Sequence, residues 1–245
     1  MELTAGSLLR RLFRFPGERF SALDPCARGA GLADLVRGTG ADTWAVVERE
    51  EDLGRFARRF SRVVLGPWHL CQAPEGAFSL LFLDPGRMAR TWLRATWRCL
   101  APGGVLLWVC PPEELDAGTA RFLCDRFSDA AAWAVPGGVA VTGVRRPRLR
   151  GDVRAERALL GVAAAPPDPA GGPEAAYPVP PSEPARIVPA LPDEAEARAL
   201  VESSPLWRLF RRDTRRGLGR PPVPLHAGHV ALLLAAGHLD GVVGE

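Results

Sequence analysis

Ala22-Leu23-Asp24-Pro25-Cys26-Ala27-Arg28-Gly29-Ala30-Gly31, running into Leu32-Ala33-Asp34-Leu35-Val36, is the stretch whose reading decides the fold. Phe20 to Leu23 reads as a short buried strand that closes on an acid, Asp24. A turn of small residues with two glycines comes next, and then an apolar-periodic segment that reads as a helix. Strand, glycine-bearing turn and helix start form a cradle in which backbone N–H groups can approach a ligand closely. Glycine suits such a turn because a Cβ would forbid the dihedrals or hold the ligand away. An isolated match of this kind is as often a plain strand-to-helix turn, so the weight rests on the downstream residues.

Beyond residue 36, strands and helices alternate. Thr43 to Val47 reads as a second strand ending at Glu48, residues 49 to 60 as a charged helix, and Arg62 to Leu65 as a third strand. Phe78-Ser79-Leu80-Leu81-Phe82-Leu83 reads as a fully buried fourth strand that ends on an acid, Asp84. A helix over about 88 to 99 leads to the turn Ala101-Pro102-Gly103-Gly104 and a fifth strand, Val105 to Cys110. After a helix over 116 to 127, Ala131–Val135 and Val139–Val144 flank Pro136-Gly137-Gly138 as a hairpin. The alternation predicts a doubly wound α/β sheet whose last strand is antiparallel. Three acids, Asp24, Glu48 and Asp84, then fall at the carboxyl ends of strands, the edge where open α/β sheets bind ligands. Glu48 stands 24 residues after Asp24, close to the spacing at which a strand-end acid accepts hydrogen bonds from a ribose diol. Strand-end acids also serve simply to solvate turns, but three in register with a glycine-bearing turn favour a site.

Composition narrows the class. The 245 residues are 47% apolar and 24% charged, ordinary for a water-soluble α/β domain with an appendage. All 31 basic residues are Arg, and neither Lys nor Asn occurs, which fits a GC-rich coding sequence. Arg is therefore not evidence of bidentate chemistry at any one position. The net charge of +3 permits contact with nucleic acid without requiring it. Five cysteines without a C-x-x-C motif suggest reduced thiols and a cytoplasmic protein, with no disulfide framework or zinc ribbon. Arg10, Arg11 and Arg14 interrupt the apolar residues of a short amphipathic helix expected over 3 to 14, so no signal-peptide core is present. The longest apolar run, Val230 to Ala236, is too short to span a bilayer, and no membrane partner is expected.

Residues 1–150 are expected to form the α/β domain and 151–190 a Pro/Ala/Gly-rich linker, with eight prolines between Pro166 and Pro184. Residues 191–245 read as a helical C-terminal segment. His226, His229 and His238 lack a completing Cys or acid at ligand spacing, so no metal site is expected. Arg145, Arg146, Arg148 and Arg150, with Arg208, Arg211, Arg212, Arg215 and Arg216, either track phosphates or form a solvated face.

Over residues 20 to 146 the chain resembles the class I S-adenosylmethionine-dependent methyltransferases, specifically the bacterial and phage adenine-N6 type. The resemblance rests on Leu23-Asp24-Pro25-Cys26-Ala27, Val47-Glu48, Leu83-Asp84-Pro85 and Ala101-Pro102-Gly103-Gly104-Val105. It implies a Rossmann-like sheet of seven strands, the last antiparallel, with S-adenosyl-L-methionine as cofactor and DNA as partner. Asp24, Pro25, Cys26, Ala27, Gly29, Gly31 and Glu48 are the implied cofactor residues. Asp84 and Pro85 are the implied catalytic pair: the side chain and the backbone carbonyl that orient the exocyclic amine of an extruded adenine.

The departures are specific. The family's Asn/Asp-Pro-Pro-aromatic loop continues here as Gly86-Arg87, its first cofactor-loop glycine falls on Arg28, and Pro67-Trp68 follows the third strand where an acid is usual. A guanidinium turned into the cleft would fill ligand volume. At about 4 Å and an effective dielectric near 20, it would also repel a sulfonium by about 4 kcal/mol, close to a thousandfold in affinity. These departures support the alternative of a catalytically inactive methyltransferase-like protein that binds nucleic acid or a catalytic protein partner.

Overall fold

A computed structural model describes residues 9–164, 167–171 and 176–189. Seven strands form one sheet: β1 (Phe20–Asp24), β2 (Ala41–Val47), β3 (Arg62–Leu65), β4 (Phe78–Leu83), β5 (Leu100–Cys110), β6 (Phe127–Val135) and β7 (Gly138–Arg145). Their order is β3-β2-β1-β4-β5-β7-β6. The first five run parallel, and β7 is antiparallel to both its neighbours. This is the expected Rossmann-like methyltransferase sheet. Five helices cover it: α1 (Gly31–Leu35), α2 (Glu50–Ala57), α3 (Ala89–Thr96), α4 (Ala117–Arg126) and α5 (Val153–Ala164).

Alternation along the strands divides the core into two layers. Leu23, Trp44, Val46, Leu81, Leu83, Leu106 and Trp108 face the side covered by Leu93 of α3 and Leu123 of α4. Ala22, Ala45, Val47, Leu80, Phe82, Val105 and Leu107 face Leu32 and Leu35 of α1 and Phe56 of α2. With both faces covered, β1 and β4 are buried along their whole length, the polar Ser21, Asp24 and Ser79 included. The order reverses direction between β1 and β4, so the loops leaving their carboxyl ends diverge and leave a crevice there.

The structure departs from the sequence expectations in three places. The strand expected from Val105 begins at Leu100, and the turn at 101–104 is an irregularity within it: Phe78 pairs with Leu100, but Leu80 already pairs with Val105. Gly103 absorbs the extra residues at φ +80. Of the helix expected over 3 to 14, residues 3–8 lie outside the described residues, Leu9 is helical, and a 3-10 turn, Arg10–Leu12, follows it. Phe13–Arg14 then runs extended beside Tyr177–Pro178, with the Phe13 and Tyr177 rings 6.0 Å apart.

The stretch expected to be linker contains α5, and its described remainder packs on the sheet. Tyr177, Val179, Ala185 and Ile187 are buried, and Val188–Pro189 pairs antiparallel with Cys71–Gln72. The Ser182 hydroxyl accepts from the Ser21 amide at 2.8 Å, and the Ser21 hydroxyl donates to the Glu183 carbonyl at 3.1 Å. Proline-rich composition does set an extended backbone here, but alternate residues are apolar and find a sheet edge to cover. The expected C-terminal helical segment, with His226, His229, His238 and Arg208 to Arg216, lies outside the described residues. No described helix is long and apolar enough to cross a membrane.

A packed strap and a free linker respond differently to truncation of a buried side chain. Ile187→Ala is expected to lower unfolding free energy by about 2–5 kcal/mol in urea denaturation. A free linker would give no change.

Candidate functional site at the carboxyl edge of the sheet

The three strand-end acids stand on one edge but in different environments. Asp24 is the last residue of β1 and is 2% exposed. Its carboxyl accepts from the Cys26 amide at 3.2 Å. Burial pushes its pKa up to about 8; the Cys26 amide opposes this shift, and the neighbouring Asp84 charge adds to it. Asp24 is thus a neutral acid through most of the physiological range. Cys26 is buried beside it, and burial followed by the Asp24 charge raises its thiol well above the usual range, so Cys26 is no thiolate nucleophile.

Glu48 follows the end of β2 and is exposed. Its carboxylate has no hydrogen-bond or ion-pair partner among the described residues. The turn that carries Cys26 is tied to the same strand, because the Ala27 amide donates to the Val46 carbonyl at 3.1 Å. The turn is thereby anchored two residues before Glu48 on the same strand.

The two glycines of that turn have different reasons for being glycine. A Cβ on Gly31 would lie 2.6 Å from the Phe82 ring, so Gly31 lets α1 pack against β4. A Cβ on Gly29 would meet nothing within 4 Å. No protein contact demands glycine at 29.

The loop after β4 is held from behind. The indole of buried Trp108 donates to the Ala89 carbonyl at 3.1 Å, and Glu114 caps the start of α3 by accepting from the Arg90 amide at 2.7 Å. These anchors let α3 begin within a few residues of Asp84. The short loop needs left-handed residues, and it has them at Gly86 (φ +70) and Met88 (φ +54). Asp84 sits at the exposed mouth of the crevice. Desolvation raises its pKa, and the Arg28 charge draws it back down.

Arg28 is where the site departs most from an open cleft. Its Nη1 donates to the Pro85 carbonyl at 2.7 Å, linking the β1 loop to the β4 loop across the crevice. A Cβ on Gly86 would lie 2.0 Å from that Nη1. The two departures noted in the sequence are therefore one: proline cannot adopt φ +70, any Cβ would collide with the guanidinium, and glycine at 86 admits Arg28. Arg87 is exposed and has no side-chain partner among the described residues. The structure thus gathers Asp24, Cys26, Arg28, Asp84 and Pro85, with Pro25 and Ala27 in the same turn, and leaves Glu48 and Gly29 at its open side. Sequence reasoning missed Trp108 and Glu114, whose contacts span 19 and 24 residues and follow no motif. Two cavities of about 360 and 390 Å³ open at the opposite, amino edge, lined by Arg37, Arg58 and Arg59 and by Arg19 and Arg62 respectively. None of the three acids lines either.

No protein-family profile matches this chain, and no curated protein matches it by sequence. Solved structures do share its sheet. A predicted O-methyltransferase from Agrobacterium tumefaciens aligns over 58% of this chain and 82% of its own, at 16% identity and a TM-score of 0.44. The Thermus thermophilus 16S rRNA N2 methyltransferase, solved with AdoMet and guanosine, aligns over 59% of this chain and 39% of its own, at 18% identity and 0.44. An RNA methyltransferase from Salinibacter ruber, solved with S-adenosyl-L-homocysteine, aligns over 54% and 85%, at 13% identity and 0.37.

The buried acid sets a pH dependence of stability. A carboxyl whose pKa is raised on folding favours the native state while it is protonated, and this contribution is lost as pH climbs from about 4 toward 8. Thermal midpoints are expected to fall across that window in the wild-type protein. In Asp24→Asn, which keeps an acceptor for the Cys26 amide and cannot ionise, the decline is expected to flatten.

Proposed function

We propose that this protein has the methyltransferase fold, takes an S-adenosyl nucleoside at the carboxyl edge of β1 and β2, and acts by binding, its methyl-transfer position being closed by Arg28. The observation that carries the reading is the Arg28–Pro85 hydrogen bond of 2.7 Å. In the adenine-N6 enzymes that the sequence resembles, the corresponding carbonyl receives the amine to be methylated. Here that acceptor is already taken by an N–H donor of the protein itself.

The two ends of the crevice differ in fit. Glu48, free and beside the glycine turn, offers a ribose diol its two acceptor oxygens, and Gly29 leaves room for backbone approach. Neutral Asp24 and the Cys26 amide line the turn without adding a second negative charge. S-adenosylmethionine supplies an electrophilic methyl on a cationic sulfonium, and Arg28 places a second cation at that end. The neutral thioether of S-adenosylhomocysteine meets no such repulsion.

A second reading is methyl transfer to adenine N6 in DNA, with Asp84 and the Pro85 carbonyl orienting the amine. Asp84 favours it, since its carboxyl remains at the mouth of the crevice with no hydrogen-bond partner among the described residues. That reading requires Arg28 to leave Pro85.

Calorimetry distinguishes the two. Wild-type protein is expected to bind S-adenosylhomocysteine at least tenfold more tightly than S-adenosylmethionine, with both lost in Glu48→Ala. Arg28→Gly is expected to close the gap, as is Gly86→Ala, whose Cβ evicts the guanidinium. Equal affinities in the wild type, or tritiated methyl incorporated by it at adenine N6 of duplex DNA, would show that Arg28 does not close the site.

A further inference from the structure

On the far side of the sheet from the α1 and α2 layer, four guanidiniums crowd two aromatic rings. Trp97, in the 3-10 turn that follows α3, and Phe122, in α4, meet edge to face with centroids 6.1 Å apart. Arg94 lies 5.3 Å and Arg126 4.1 Å from the centre of Phe122. Around Trp97 stand Arg126 at 5.0 Å, Arg145 at 5.1 Å and Arg98 at 5.7 Å. Aromatic faces attract cations, so the rings hold these long side chains in place before any ligand arrives.

Arg145 is engaged through both of its Nη atoms, although its buried Nε has no partner among the described residues. It donates to the carbonyls of Arg98 and Leu100 and pairs with Glu75 at 3.1 Å. Arg94, Arg98 and Arg126 have no hydrogen-bond acceptor or ion-pair partner among the described residues, and the Arg126 Nε is buried without one. Nearby acids do not neutralise them. Asp116, which faces Arg94, is held by Arg90 at 2.5 Å, and Glu75 is held by Arg145. Asp125 beside Arg126 is the one remaining. The Arg126 guanidinium is accordingly less favoured in its charged form, through desolvation first and then through Arg94 and Arg98, against the pull of Asp125. Three like charges kept together by aromatic rings, none with an acceptor of its own, lack an anion.

We infer that Arg94, Arg98 and Arg126, ordered on Trp97 and Phe122, form a binding surface for the phosphodiester backbone of a nucleic acid. The three cations flank two rings whose centroids lie 6.1 Å apart, a concentration of positive charge that suits the dense charge array of a duplex. Guanidiniums already lie against both rings, and the charges offered are suited to phosphates, so recognition is of the backbone and independent of sequence. Residues 97–99 and the end of α4 lie toward the amino edge of the sheet, away from Asp24, Glu48 and Asp84. The surface therefore does not compete with the crevice, and its test is independent of how the crevice is used.

The test is fluorescence anisotropy of the full chain with a short labelled DNA duplex, titrated at several salt concentrations. Each lost phosphate contact lowers the slope of log K against log salt by about 0.9, so Arg94→Gln with Arg98→Gln is expected to lower it by about 2 and to weaken binding near 0.15 M salt on the order of tenfold. Both residues are exposed, so the double variant is expected to fold with an unchanged thermal midpoint. A charge-matched control at the start and within α2, Arg49→Gln with Arg55→Gln, is expected to leave the slope unchanged. Three results would overturn the inference: no duplex binding by the wild type at low salt, an equal loss in the control, or displacement of the duplex by inorganic phosphate beyond what chloride achieves at equal ionic strength. The last would assign the surface to a single free phosphate.

Discussion

The Arg28 guanidinium donates to the carbonyl of Pro85 and so joins the two loops that matter most in this molecule. That bond crosses the point where the strand order reverses, which is where an open α/β sheet leaves room for a ligand. Its dependence on neighbours is steep. Gly86 must lack a Cβ, the loop must turn left-handed, and α3 must begin at once to hold the loop in place. Trp108 and Glu114 meet the last requirement from the core and from the β5–α4 loop. A charge-assisted bond of this kind is stronger than a neutral one, and it engages the Pro85 carbonyl from within the protein.

The edge of the sheet thus separates into two halves with different chemistry. On the β2 side Glu48 is free and Gly29 faces open space. On the β4 side Arg28 both fills the gap and lowers the cost of ionising Asp84, whose pKa desolvation would otherwise raise further. Asp24, at the floor between them, is kept neutral by burial.

Much of the architecture is legible from local pattern. Phe78 to Leu83 and Phe20 to Leu23 read as central strands because burial on both faces favours apolar residues at nearly every position, with one serine in each. The placement of Asp24, Glu48 and Asp84 on one edge follows from strand direction alone. The Arg28 departure is visible as a side chain where glycine is expected, but its destination is not. Nothing in the sequence says which way a guanidinium points, and Gly86 looks like an unrelated loss until its Cβ position proves to be occupied. The strap at 176–189 reads as a linker because proline-rich composition signals an extended chain without saying whether a surface awaits it; Tyr177, Val179, Ala185 and Ile187 find one. The cluster at Trp97 and Phe122 joins side chains from α3, α4 and β7 and has no sequence signature. In a chain whose only long cation is Arg, such a cluster is indistinguishable from a solvated face before the rings are placed.

The most direct measurement of the central claim is a crystal structure of the wild-type protein soaked with S-adenosylhomocysteine. The expected result is the ligand's ribose on Glu48, with Arg28 still within hydrogen-bond distance of the Pro85 carbonyl. Arg28 turned away from that carbonyl, with the Pro85 oxygen open to the crevice beside Asp84, would contradict it.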